Sequence, residues 1–272
     1  MLDLSFAPED IPPQLRETSE DVCAVYSQYC KMLLQGLKSE ICAVRFQLLH
    51  FALLGERGIG LLTELLKYAS SQGYYTLLAV PGIMSDGAAA FGAQRIFSEG
   101  SLFPCDGVQL SVYAGSDVLK PFLTYCEQAK KDLFVAVRTA HRSSAEIQDL
   151  LAGSRMVHMA GADLVNRYAD STIGKYKYSR VGIMVSATAG DSVKMLRAKY
   201  PNLFVLVDGL EYPGANGKNC AYAFDKMGHG AVICLASSIT AAWKDGEGDF
   251  VQAAADAAQK MKKRIQRYVT VL

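Results

Sequence analysis

The sequence predicts an α/β fold: a single (β/α)8 TIM barrel with an extra helix between strands five and six, occupying residues 1–272 as one domain. Three observations carry that expectation. Eight short apolar runs of β type recur along the chain, and segments of helical period separate them. A chain of 272 residues that is 50% hydrophobic and 20% charged also has enough apolar material for one barrel core. Strict alternation of strand and helix implies parallel strands covered by helices.

The predicted strands are Leu2–Ala7, Cys42–Leu48, Tyr74–Val80, Gly107–Val112, Leu133–Val137, Val181–Ser186, Leu203–Val207 and Ala231–Leu235. The first is the weakest, because Asp3 and Ser5 interrupt it and Pro8, Pro12 and Pro13 follow closely. Helical period is clear in Gly60–Tyr68 and Asp191–Arg197. The stretch Ser143–Lys177 is too long for one crossover helix and is expected to hold two, near Ala145–Leu151 and Met156–Tyr168. The last segment, Asp249–Tyr268, carries Val251, Ala254, Ala258, Met261 and Ile265 near helical spacing, which suits an amphipathic closing helix. Its Lys260, Lys262, Lys263, Arg264 and Arg267 read as a solvated face, with an anion-binding patch as the alternative.

Charge excludes some partners. Lys plus Arg number 28 against 27 for Asp plus Glu, so no bulk field favours nucleic acid or anionic lipid. The seven Cys form no C-x-x-C pair and signal neither a disulfide framework nor a zinc site. No apolar run reaches about 18 residues, and no basic leader precedes one. These features point to the cytoplasm, without metal or cofactor.

Barrel ligands sit at the C-terminal strand ends. There Arg45, Gln47, Ser111, Tyr113, Arg138, Thr139, Ser186, Thr188, Asp208, Glu211 and Ser237 are placed to share a mouth. Its two cations suggest a small acidic metabolite. His141 follows strand five and is either a binding or acid–base group or an exposed loop residue. His50 lies among apolar neighbours and reads as core, His158 as helical and His229 as part of a turn. Gly209, Gly214, Ser237 and Ser238 follow strands seven and eight, where backbone N–H groups often hold phosphate, although turn geometry is the preferred reading of the glycines. No nucleophile–base pair and no nucleotide-binding glycine motif declares itself.

Several segments carry a family resemblance. They are Gly107–Asp117 with Pro121-Phe122, Phe134–His141 with Gln148 further on, Val181–Thr188 with Leu196-Arg197, and the turn at Asp208-Gly209. From about Cys42 onward the chain resembles the orotidine 5'-phosphate decarboxylases, particularly the longer bacterial subfamily. The resemblance implies cofactor-independent loss of carbon dioxide, a homodimer with sites near its interface, and a charged catalytic cluster. General acid catalysis of that type contributes about 10²–10⁴-fold, and preorganised charge usually more.

The charged cluster is where this sequence departs. In an ungapped comparison of strand three the family's Asp falls on Ala79, its catalytic Lys on Pro81, and the Asp that reaches into the neighbouring subunit on Met84. Asp86 lies two residues further on. Arg45 falls where the family carries a network Lys, followed by Gln47, and is either an anion holder or the partner of an acid such as Asp208. Ala140 replaces a base-contacting Ser, Pro213 lies near the phosphate-loop Gln, and Ser238 replaces an Arg that grips phosphate. The sequence therefore predicts a divergent barrel that has lost orotidine 5'-phosphate decarboxylation and is retained for small-anion binding, regulation or oligomer formation. The alternative is an active lyase, either a decarboxylase with relocated groups or an enzyme acting on another acidic metabolite.

Overall fold

The computed structural model describes residues 1–246 and 248–269. Its strands, in chain order, are β1 (Leu2–Asp3), β2 (Ala43–Gln47), β3 (Tyr75–Ala79), β4 (Gly107–Ser111), β5 (Asp132–Arg138), β6 (Leu151–Ala152), β7 (Arg155–Met156), β8 (Val181–Ser186), β9 (Val205–Asp208) and β10 (Ala231–Ile233). Eight of them form one sheet in the order β1-β2-β3-β4-β5-β8-β9-β10, with every pairing parallel. The sheet curls until its edges meet. Asp3 N donates to Leu235 O at 2.8 Å and Leu235 N to Met1 O at 3.1 Å, which joins β1 to the end of β10.

Alternation along each strand sorts side chains to two faces. On the inward face Leu77, Phe134, Ala136, Met184, Leu206 and Cys234 form a small apolar plug. The outward face joins the covering helices in a far larger core. One glycine makes the plug possible: a Cβ on Gly182 would lie 2.5 Å from Phe204 O and 3.1 Å from the Phe134 ring. Its absence lets those two rings meet edge to face at 6.1 Å.

The first strand is shorter than the expected Leu2–Ala7. Asp3 turns inward and the Ser5 hydroxyl accepts Gln47 N at 2.9 Å, so the chain leaves the ladder before the prolines. The crossover from β5 to β8 holds a four-residue helix, Ala145–Gln148, the β6–β7 antiparallel hairpin and the helix Val157–Asn166. The closing helix spans Phe250–Gln266 and buries Phe250, Ala254, Ala258 and Ile265. Asp249 caps it, accepting Val251 N at 2.8 Å and Gln252 N at 2.9 Å. Among the described residues no helix is long and apolar enough to cross a membrane.

Arg197, on the helix Gly190–Lys199, fastens the sheet to its helices at the end opposite the mouth. Its guanidinium is buried and donates to four backbone carbonyls: Ala223 O at 2.7 Å, Pro201 O at 3.0 Å, Leu203 O at 2.9 Å and Gly230 O at 2.6 Å. Replacing it with an apolar chain strands several buried acceptors. Arg197→Met is expected to lower unfolding free energy by about 3–5 kcal/mol in urea titration, with an unchanged far-ultraviolet spectrum below the transition.

Candidate functional site

The C-terminal strand ends bring together most of the polar set that the sequence singled out. Inward-facing positions there are Asp3 on β1, Arg45 and Gln47 on β2, Ala79 on β3, Gln109 and Ser111 on β4, Ser186 on β8 and Asp208 on β9. The strand register puts Asp3 beside Arg45, and Ala79 between Gln47 and Gln109.

Arg45 is the hub of this layer and is 6% exposed. Its Nε and Nη2 donate to Asp3 Oδ2 at 2.9 and 2.6 Å, while Nη1 donates to Asp208 Oδ2 at 2.9 Å and to Gln109 Oε1 at 3.2 Å. Gln47 Nε2 adds a third donor nitrogen to Asp3 Oδ2 at 2.9 Å. The remaining oxygens are also engaged: Ser5 N reaches Asp3 Oδ1 at 2.9 Å and Gly209 N reaches Asp208 Oδ1 at 2.6 Å. Of the two roles open to Arg45, the geometry is that of a partner to acids. Beneath it, burial pushes the Cys234 thiol up to about 12, so no thiolate is available there at neutral pH.

The second cation is paired too. Arg138 grips Asp149 with two parallel bonds, Nε to Oδ1 at 2.8 Å and Nη2 to Oδ2 at 2.9 Å. Its Nη1 donates to Thr139 O at 2.7 Å and to the Ser144 hydroxyl. Gln148 then holds Thr139, accepting its N–H at 2.8 Å and donating to its Oγ1 at 2.9 Å. Buried His158 donates from Nδ1 to Gln148 O at 2.8 Å, on the tautomer this acceptor requires. Tyr113 OH donates to Val137 O at 2.6 Å, and burial pushes its phenol up to about 12.

The anion cradle expected after strands seven and eight is arranged differently from the sequence reading. Glu211 occupies it: Oε1 accepts Ala236 N at 3.1 Å and Ser238 N at 2.6 Å, and Oε2 accepts Ala236 N at 3.1 Å. Gly209 N is committed to Asp208, Ser237 is exposed, and the Ser238 hydroxyl oxygen is buried with no hydrogen-bond partner. Gly209 adopts φ +74°, and a Cβ on it would lie 2.5 Å from Ala140 Cβ and 2.9 Å from Ser186 Oγ, so close approach as well as the turn demands glycine there. Gly214 adopts φ +89° in open space, as a turn requires. His141 is exposed and meets Tyr212 edge to face at 5.9 Å.

At the end of β3, Ala79 is 2% exposed, Pro81 is exposed and Met84 is 58% exposed. Asp86 does not move into their place. It opens the helix Asp86–Phe97, where its Oδ1 accepts Gly87 N at 2.8 Å, and Ser85 caps that helix through Ala88 N. Among the described residues no three His, Cys, Asp or Glu side chains gather to hold a metal ion.

No protein-family model matches the chain. It is 27% identical over 265 residues to the orotidine 5'-phosphate decarboxylase of Caldicellulosiruptor saccharolyticus, spanning 94% of this chain and 87% of that relative. It is 29% identical over 233 residues to the enzyme of the same name from Dehalococcoides mccartyi, spanning 84% and 80%. This chain is similar to the orotidine 5'-phosphate decarboxylases. Solved structures carry the same fold. A Toxoplasma gondii protein assigned as an orotidine-monophosphate-decarboxylase superposes with a TM-score of 0.81 at 20% identity, covering 98% of this chain and 92% of its own. Leishmania donovani OMP decarboxylase gives 0.75 at 22%, covering 97% and 93%.

Asp3, Gln109, Ser144 and Asp149 complete the networks and were not among the candidates read from sequence. Asp3 did leave a signal, as a charge at an inward position of an apolar strand. Asp149 left none, because it lies on a crossover whose path only packing defines. Removing Arg45 leaves Asp3 and Asp208 facing each other without a counter-ion. Arg45→Met is expected to cost about 3–5 kcal/mol in denaturant unfolding, and adding Asp3→Asn to that background is expected to restore part of the loss.

Proposed function

We propose that this chain is a decarboxylase-like barrel that does not decarboxylate orotidine 5'-phosphate and is retained as a regulatory or oligomer-forming protein. The observation that carries this reading is the end of β3, where Ala79, Pro81 and Met84 supply neither a proton donor nor a carboxylate. Arg45, on the adjacent strand β2, spends its donors on Asp3, Asp208 and Gln109. Arginine also stays protonated at any physiological pH, so it is a poor source of a proton for a carbanion.

Small-anion binding at the mouth is the weaker arm of the proposal. Asp3, Asp208, Asp149 and Glu211 set four carboxylates against the guanidiniums of Arg45 and Arg138. An acidic metabolite entering there has to displace an internal carboxylate. In this reading the chain acts in the cytoplasm as one domain, without a cofactor, and pairs with a second copy. What supports pairing is apolar surface beside the mouth: Leu49 (69% exposed), Leu53 (79%), Met84 (58%) and Phe91 (67%) follow the adjacent strands β2 and β3.

Two measurements test the proposal. Pure protein from a host lacking its own decarboxylase is expected to give no loss of carbon dioxide from orotidine 5'-phosphate above a buffer blank. Turnover that co-purifies with the chain and drops in a Thr139→Val variant establishes an active lyase instead. In sedimentation velocity the wild type is expected as a dimer, with Met84→Glu/Phe91→Glu shifted toward monomer by at least tenfold in dissociation constant; a wild type that stays monomeric at all concentrations refutes the pairing.

A further inference from the structure

The barrel seam carries a feature unrelated to the mouth. β1 and β10 are the shortest barrel strands, two and three residues long, and they meet through a single bridge between Leu2 and Leu235. Between this seam and the closing helix lies a cavity of about 440 Å³. Ile41, Phe224, Ile233, Leu235, Ile239 and Ile265 line it, and Lys262 and Glu40 also border it. The volume falls within the range of small-molecule sites, about 300–1,000 Å³, and the lining is of the apolar kind that such sites use.

The charged side chains that border the cavity are Lys262 and Glu40. Of the cations near the end of the closing helix, Lys262 lies at this cavity, whereas Lys260, Lys263, Arg264 and Arg267 line a separate groove with Asp256 and Gln259; the ion pairs found among the described residues do not involve Lys262. Glu40, the acid bordering the cavity, is held by Gln259 Nε2 at 3.0 Å. Lys263 and Arg264 stand on the last turn of the helix, where its carbonyl ends favour cations. A solvated face explains the four cations of the separate groove, but not Lys262, which stands beside an apolar cavity.

We propose that the seam cavity binds a small amphipathic anion, its apolar tail between the sheet edge and the closing helix and its head at Lys262. The site is independent of the mouth and of the function proposed above. Decanoate and decanol are the probes, titrated by calorimetry into the full-length protein. Saturable one-to-one binding of decanoate is expected, with decanol at least fivefold weaker. Lys262→Glu is expected to weaken decanoate at least fivefold and leave decanol unchanged. Ala258→Phe, which puts a ring into the cavity, is expected to weaken both at least tenfold, and Ala258→Leu offers a milder fill should the larger ring disturb folding. Absence of saturable decanoate binding to the wild type overturns the proposal, as does binding that both fills leave intact or equal loss of the two probes in Lys262→Glu. Binding that appears only in a chain ending at Val269 also overturns it, since the site is then covered by the protein's own residues.

Discussion

The ion triad Asp3–Arg45–Asp208 is the constraint on which the upper half of this barrel depends. In the closed ring β9, β10, β1 and β2 are successive neighbours, so one guanidinium on β2 reaches across the seam to acids on β1 and β9. Only arginine offers enough donors in a fixed fork to serve both. A two-residue β1 supplies little ladder of its own, and Leu4 N to Arg45 O at 2.9 Å is its last sheet contact on that side. The triad therefore does for the seam what longer strands do elsewhere in the ring. It carries one more negative than positive charge, and the backbone N–H groups of Ser5 and Gly209 take up that excess.

The same pairing fixes what the mouth can offer. A cation engaged by two carboxylates is not free to hold a ligand's anion, and a cradle of N–H groups filled by Glu211 is not free to hold a phosphate. Likeness to the decarboxylases at 27–29% identity extends over most of the chain length, and a barrel asks only for apolar residues in alternation and compact turns. Catalysis asks for individual charges at individual atoms. β3 shows how separate the two demands are: Leu77, Leu78 and Ala79 form the strand and its packing, and Ala79, Pro81 and Met84 place no charge at its end.

Particular residues show how far the sequence could be read. The inner run of β8, Val181–Ser186, was legible to the residue because it is buried on both faces and bounded by turns. The closing helix was legible from Ala254, Ala258 and Ile265, although Val251 and Met261 pack only partly. In the crossover after β5 the helices Ala145–Gln148 and Val157–Asn166 fall where two were expected, but the hairpin between them was not legible, since Leu151–Met156 has too few residues to show a period of two. Arg138 and Thr139 were recognised as polar groups at a strand end, but their partners Asp149 and Gln148 sit about ten residues away on a segment with no regular repeat.

What the sequence by itself determined is the ring of alternating strands and helices, the place of the mouth, and the uncharged side chains Ala79, Pro81 and Met84 at the end of β3. Each follows from local pattern or from side-chain chemistry that no folding can alter: an alanine cannot acquire a carboxylate. What only the tertiary structure decided is which charges cancel. Arg45 and Asp3 are 42 residues apart, Arg45 and Asp208 are 163 apart, and Glu211 meets Ser238 across 27. Electrostatic pairing depends on distance in space, which falls off over a few ångströms and leaves no trace in sequence spacing.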